Sequence, residues 1–145
     1  MKNQFAIVAS LFNQMITDKL LEGALSQLIK SGIHEENITV VRVPGAVEIP
    51  LTAQLFAKSK QYKAIICLGA VIRGDTDHYD YVCQQVSFGC QKVMLEHDIP
   101  VIFGVLTTNN LEQAQDRVGG KHGHKGVEAA DAALMMTELV ERLST

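Results

Sequence analysis

Residues 69–82 read Gly-Ala-Val-Ile-Arg-Gly-Asp-Thr-Asp-His-Tyr-Asp-Tyr-Val. Within this segment, Gly74, Asp75, Thr76 and His78 have types and spacing that suit chemistry. An apolar run at 64–68 leads in, and a long helical pattern follows. Where a strand gives way to a helix start, backbone N–H groups point outward and the helix dipole favours an anion. Gly74 is expected to let the backbone turn tightly there. The Thr76 hydroxyl adds a hydrogen-bond donor. His78 adds an imidazole, a group that exchanges protons near neutral pH. The segment therefore suggests an anion site with a proton carrier beside it. The same residues also fit a plainer reading, in which Asp75, Thr76 or Asp77 caps a helix and His78 is a polar first-turn residue.

The elements that must position these residues follow from hydrophobic periodicity. Residues 5–9, Phe-Ala-Ile-Val-Ala, read as a buried strand. From 14 to 30, apolar residues recur at helical spacing, and Ser31-Gly32 ends that helix. A second strand covers 38–43 and stops at Pro44-Gly45. A helix follows over 48–60, with Pro50 tolerable only in its first turn. The third strand is 64–68, the third helix 77–97, and the fourth strand begins at 100–104. A short helix is expected over 110–118, capped by Asn109 or Asn110, and a last helix over 126–143.

Four strand–helix alternations with short connections predict an α/β fold with a parallel sheet. The expected form is a flavodoxin-like three-layer α/β/α sandwich with a four-stranded parallel sheet, built by a single domain over 1–145. Ligands in such sheets bind outside the carboxyl ends of the strands. The polar and glycine-rich segments at 10–13, 43–48, 69–78 and 107–110 all lie just past strand ends, so one sheet edge collects them.

Composition narrows the function classes. The chain has 145 residues, 47% hydrophobic and 20% charged, as soluble globular proteins do. A net charge of −3 gives no basic footprint and argues against a nucleic-acid partner. No apolar stretch approaches the roughly 20 residues of a membrane span. The Met-Lys-Asn-Gln start leaves no room for a signal peptide, so a cytoplasmic protein is expected. Cys67, Cys83 and Cys90 form no Cys-x-x-Cys pair and read as free thiols. Lys121, His122 and His124 make a charged turn rather than a metal site, since two histidines two apart are weak evidence for one. No Gly-x-Gly-x-x-Gly follows the first strand, and 120–125 lacks the Gly-Lys-Ser/Thr of a P-loop. The 10–13 loop, Ser-Leu-Phe-Asn, is neither a flavin phosphate loop nor an acidic pair.

Three ordered blocks resemble the lumazine synthase family: 43–50, Val-Pro-Gly-Ala-Val-Glu-Ile-Pro; 69–82; and 100–108, Pro-Val-Ile-Phe-Gly-Val-Leu-Thr-Thr, running on to Arg117. The Phe12-Asn13 pair and the Lys125-Gly126 element fit as well, so the resemblance covers nearly the whole chain. It implies a reaction joining 5-amino-6-(ribitylamino)uracil to 3,4-dihydroxy-2-butanone 4-phosphate, with no metal or organic cofactor. It implies His78 as proton shuttle and Gly74, Asp75, Thr76 and Arg117 as phosphate binders, Arg117 reaching in from an adjacent subunit. Phe12 would stack on the pyrimidine, with Asn13 hydrogen-bonding nearby. Ala46, Val47 and Glu48 would hold the ribityl chain. Backbone groups of Ala70, Val71 and Ile72 would read the pyrimidine edge. Phe103 and Lys125 would come from the neighbour.

Taken singly, several of these residues have simpler roles. Arg117 reads as a solvated helix-end charge, Phe12 as core, and Glu48 as a carboxylate favoured by a helix N-terminus. Arg73 reads as structural, tying the loop to neighbouring backbone or acids. The family usually has an aromatic residue where Val47 stands, a departure that removes ring-contact area.

The resemblance further implies small-molecule substrates, a homopentamer, and riboflavin synthase as a partner. The compact join at 119–126 resembles members that build 60-subunit icosahedral shells, whereas the start so near the first strand omits an amino-terminal strand common in the family. The competing readings are a non-catalytic binding or cage protein on the same fold, and a generic flavin-mononucleotide module. A binder has no need of His78, Thr76 and Arg117 together.

Overall fold

The computed structural model describes residues 3–144. Four strands form a parallel sheet in the order β2-β1-β3-β4: β1 Phe5–Ser10, β2 Ile38–Val43, β3 Ala64–Ile72 and β4 Val101–Thr108. Helices α1 Gln14–Lys30 and α5 Lys125–Leu143 cover one face with β3's Ile66 and Leu68 beneath them. Helices α2 Ile49–Ser59 and α3 His78–His97 cover the other face, over Ile65 and Cys67. The three layers of the α/β sandwich follow directly.

Every residue of β1 is buried, and so is nearly all of β3. These are the two central strands, enclosed on both faces, and both read as unbroken apolar runs. The outer strands β2 and β4 are only partly buried. Layer contacts are close where side chains are absent. A Cβ on Gly89 of α3 would lie 2.6 Å from the Pro50 ring of α2.

Strand β3 is four residues longer than its apolar core at 64–68 suggests. Val71 and Ile72 are β-branched, and they pair with Thr107 and Thr108 of β4. Gly69 to Ile72 are therefore strand rather than loop. Strand β1 pairs with β3 only as far as Leu68, so the last turn of β3 stands above its inner neighbour.

Helix α2 starts at Ile49, after a 3₁₀ turn at Ala46–Glu48, and Lys60 closes it in the left-handed region at φ 57°. The short helix is α4 Leu111–Gln115, capped by the Asn110 side chain, which accepts the Gln113 N–H at 2.8 Å. It does not extend to 118. Residues beyond it form an antiparallel ribbon, β5 Val118–Gly120 with β6 Gly123–His124. Gly119 and Gly123 take φ of 107° and 79°, which lets the ribbon reverse in so few residues.

Candidate active site

A cleft of about 640 Å³ opens at the carboxyl edge of the sheet. It lies where the chain leaves β1, β2 and β3, beside the point at which strand order reverses around β1. Such switch points leave a crevice between diverging loops.

The first wall comes from the β1–α1 loop. Leu11 and Phe12 donate their N–H groups to the carbonyls of Val43 and Pro44 at 2.7 and 3.0 Å, prolonging the β1–β2 ladder past its end. Phe12 is 71% exposed with its ring at the cleft, so it is not a core residue. Asn13 sits at φ 61°, and its Nδ2 donates to the Ala70 carbonyl at 2.8 Å. That bond replaces the β1 partner that β3 lacks above Leu68. In a parallel ladder alternate residues bond to alternate neighbours. The Arg73 N–H goes to Thr108 of β4, so Ala70 and Ile72 turn their backbone groups to the cleft side and Val71 turns its own toward β4.

The second wall is the turn at 44–48. Gly45, Ala46, Val47 and Glu48 all line the cleft. One Glu48 oxygen accepts the Gly45 N–H at 2.9 Å, a cap-like bond that fixes the carboxylate at the turn. A carboxylate has further acceptor sites, so Glu48 keeps capacity for a second partner. Val47 is 37% exposed and forms a small, open part of the wall.

The third wall is the β3–α3 junction. Gly74, Thr76 and His78 line the cleft, and His78 is the first residue of α3. The Thr76 Oγ1 accepts the His78 N–H at 3.3 Å, and the Asp77 side chain makes no cap bond. Thr76 thus does cap the helix, and its hydroxyl proton is left to donate elsewhere. Asp75 does not line the cleft. Gly74 corrects the sequence reading. Its φ lies outside the left-handed region, and a Cβ there would meet nothing. The turn does not require glycine for its own conformation.

Arg73 braces this loop from behind. Its Nε donates to Asn109 Oδ1 at 3.1 Å, a second nitrogen lies 3.8 Å from Asp80, and the guanidinium sits 4.3 Å above the Tyr79 ring. Burial pushes the Tyr79 phenol up, against a Thr107 hydrogen bond and the Arg73 charge. Burial likewise raises the half-buried Cys83 thiol. The Cys67 thiol is raised further by its contact with Cys90 and by burial in the core beneath the cleft. All three cysteines are free.

The match to known proteins spans the chain. The family model described as 6,7-dimethyl-8-ribityllumazine synthase matches residues 2–141. Proteins named 6,7-dimethyl-8-ribityllumazine synthase from Coxiella burnetii strains CbuG_Q212 and RSA 493 / Nine Mile phase I are 58% identical over 140 residues, covering 97% of this chain and 93% of theirs. The protein of that name from strain Dugway 5J108-111 is equally similar. The chain belongs to the 6,7-dimethyl-8-ribityllumazine synthase family.

In this lumazine synthase family member, one chain gathers eleven of the residues named from sequence: Phe12, Asn13, Ala46, Val47, Glu48, Ala70, Val71, Ile72, Gly74, Thr76 and His78. Phe103, Arg117 and Lys125 do not reach that cleft. Phe103 packs against the α2–α3 face, while Arg117 and Lys125 flank the ribbon, with the Lys125 N–H donating to the Arg117 carbonyl at 2.7 Å. Tyr81, Val82 and Gln85 line the cleft as well, though sequence reasoning passed over them. They sit three, four and seven residues after His78, the spacing that puts them on its face of α3. Among the described residues no group of three or more His, Cys, Asp or Glu could hold a metal, and no helix is long and apolar enough to cross a membrane.

Proposed function

We propose that this chain is a transferase of riboflavin biosynthesis. It condenses 5-amino-6-(D-ribitylamino)uracil with 3,4-dihydroxy-2-butanone 4-phosphate to 6,7-dimethyl-8-ribityllumazine, releasing phosphate and water. The observation that carries the reading is one cleft holding an exposed aromatic platform, Phe12, opposite a helix N-terminus with Thr76 and His78. A flat uracil and a phosphate ester are the two ligands those halves suit.

The pyrimidine lies on Phe12, with its edge against the backbone of Ala70 and Ile72. Ribityl hydroxyls donate to the Glu48 carboxylate, beside Ala46 and Val47. The phosphate takes the backbone N–H groups of Gly74 and Asp75 and the Thr76 hydroxyl at the start of α3. The Asp75 carboxylate stays turned away, since like charges at close range repel. The amine attacks the ketone carbon, and His78 carries the proton from nitrogen to the new alkoxide. It then protonates the departing hydroxyl as water leaves. It next removes a proton from carbon as the C–O bond to phosphate breaks; the resulting enol becomes a ketone, the ribitylamino nitrogen adds to that carbonyl, and a second water leaves as the ring closes. The substrates' alignment supplies much of the rate.

The chain acts as one domain over 1–145 and as a cytoplasmic homo-oligomer, a pentamer at least. Two observations support assembly. Phe103, Arg117 and Lys125 do not line their own chain's cleft, which fits a role in a neighbour's. On α3, Tyr81, Phe88 and Leu95 recur every seven residues and are 63%, 69% and 65% exposed, an apolar stripe that stable monomers rarely show. A 60-subunit shell and association with riboflavin synthase, which consumes the product, are further steps of the same reading.

The test is to mix the purified protein with both substrates and follow lumazine absorbance and fluorescence. A rise well above the spontaneous reaction is expected. The His78→Ala variant is expected to lose turnover yet stay above background, because alignment survives. No rise with the unaltered protein would overturn the enzyme reading.

A further inference from the structure

The turn at 119–124 contributes nothing to the cleft, yet one of its side chains is unusually well held. His124 caps α5: its Nδ1 accepts the N–H groups of Gly126 and Val127 at 3.1 and 3.4 Å. These are orphan donors that open every helix. The ring also packs so tightly on α1 that Gly23 has no room for a Cβ. Gly126 in turn lies against the Leu20 carbonyl of α1. The imidazole is thus wedged where α1 meets α5.

What it holds is the backbone that carries Arg117 and Lys125. His124 pairs with Val118 across the ribbon, and the adjoining bond joins the Lys125 N–H to the Arg117 carbonyl. Both cations therefore leave the backbone within one residue of the His124 pair. We infer that His124 is a positioning residue for the phosphate-bearing substrate: its neutral imidazole holds Arg117 and Lys125 toward the adjoining subunit's cleft, and protonation releases them. This rests on the assignment of Arg117 to the phosphate.

The cap exists only in the neutral form. A proton on Nδ1 turns the acceptor into a donor facing two donors, and adds positive charge at the positive end of a helix. Lys19 of α1 and Lys125 of α5 add to that repulsion from the flanking elements. Lys121 and Arg117, beside the ribbon, have the same sign. Glu22 of α1, Glu128 of α5 and Asp116 before the ribbon act in the opposite sense, and His122 is a second imidazole in the turn.

The test compares KM for 3,4-dihydroxy-2-butanone 4-phosphate in four assembled proteins: unaltered, His124→Asn, His124→Ala and Arg117→Ala. Asn keeps a cap and cannot take up a proton. Between about pH 8 and about pH 5.5, KM in the unaltered enzyme should rise more than in His124→Asn, the excess reaching about fivefold. Ionisation of the substrate's own phosphate cancels in that comparison. His124→Ala should raise KM for the phosphate-bearing substrate at about pH 8, by a margin that shrinks toward about pH 5.5, and leave KM for the aminopyrimidine unchanged, a split that general loss of structure would not give. Arg117→Ala should raise the same KM. If it does and both His124 variants track the unaltered enzyme, the inference fails. If Arg117→Ala changes nothing, it fails through the assignment beneath it.

Discussion

At the residue scale, side chains of the same type are separated by what already occupies them. Arg73 and Arg117 have the same head group, but Arg73 spends its guanidinium on Asn109, Asp80 and the Tyr79 face. The spacing that placed Arg73 nearer the loop in sequence therefore says little about its role. Phe12 shows the converse. A phenylalanine after a strand suggests core, yet its ring is exposed at the cleft. Val47 departs from the family's usual aromatic and leaves part of the cleft wall open. The Val47→Phe variant is expected to add ring contact with the pyrimidine and lower its KM by about threefold, at unchanged KM for the phosphate-bearing substrate. Steady-state kinetics with each substrate varied in turn would check this. A rise in both constants would mean that the larger side chain blocks the cleft.

At the element scale, the β3–α3 junction brings Gly74, Thr76 and His78 to the cleft. Its apolar lead-in and helix were legible from periodicity, because a buried central strand and a long amphipathic helix are strong signals. The four extra residues of β3 were not, since Gly69-Ala-Val-Ile resembles a loop opening until its pairing with β4 is seen. The β5–β6 ribbon was missed for a related reason. Three residues against two give no period, and the ribbon depends on positive φ at Gly119 and Gly123. Gly74 poses the reverse problem: a glycine that the chain's own geometry does not require. If it is there so that phosphate can approach the backbone, a methyl group would block the ligand and leave the fold alone. The Gly74→Ala variant is expected to keep its melting temperature within about 4 °C, since a compatible Gly→Ala change shifts stability by under about 1 kcal/mol. Its KM for the phosphate-bearing substrate should rise about tenfold, the equivalent of one lost hydrogen bond to a charged group. A normal KM would mean that the phosphate lies elsewhere.

At the scale of the whole molecule, the question is whether a site is complete within one chain. The cleft has an exposed aromatic ring, a carboxylate, a helix N-terminus and an imidazole, yet among the described residues no lysine or arginine lines it. A phosphate leaving group needs more neutralisation than backbone amides provide, and a guanidinium fork is well matched to it. Arg117 and Lys125 leave their own ribbon away from the cleft, and α3 carries the apolar stripe of Tyr81, Phe88 and Leu95. In a ring of like subunits, one face meets a different face of its neighbour, so each cleft can receive an arginine from the next chain. Subunit mixing tests this without any structure of the assembly. His78→Ala and Arg117→Ala each impair every site when assembled alone. Unfolded together in equal amounts and reassembled, they should make sites pairing an intact His78 from one chain with an intact Arg117 from the next. Random assembly gives about one quarter of such sites, so activity should rise to about a quarter of the unaltered enzyme's. If both residues served the same chain's site, no mixture could unite two intact copies, and activity would stay at the mean of the two variants.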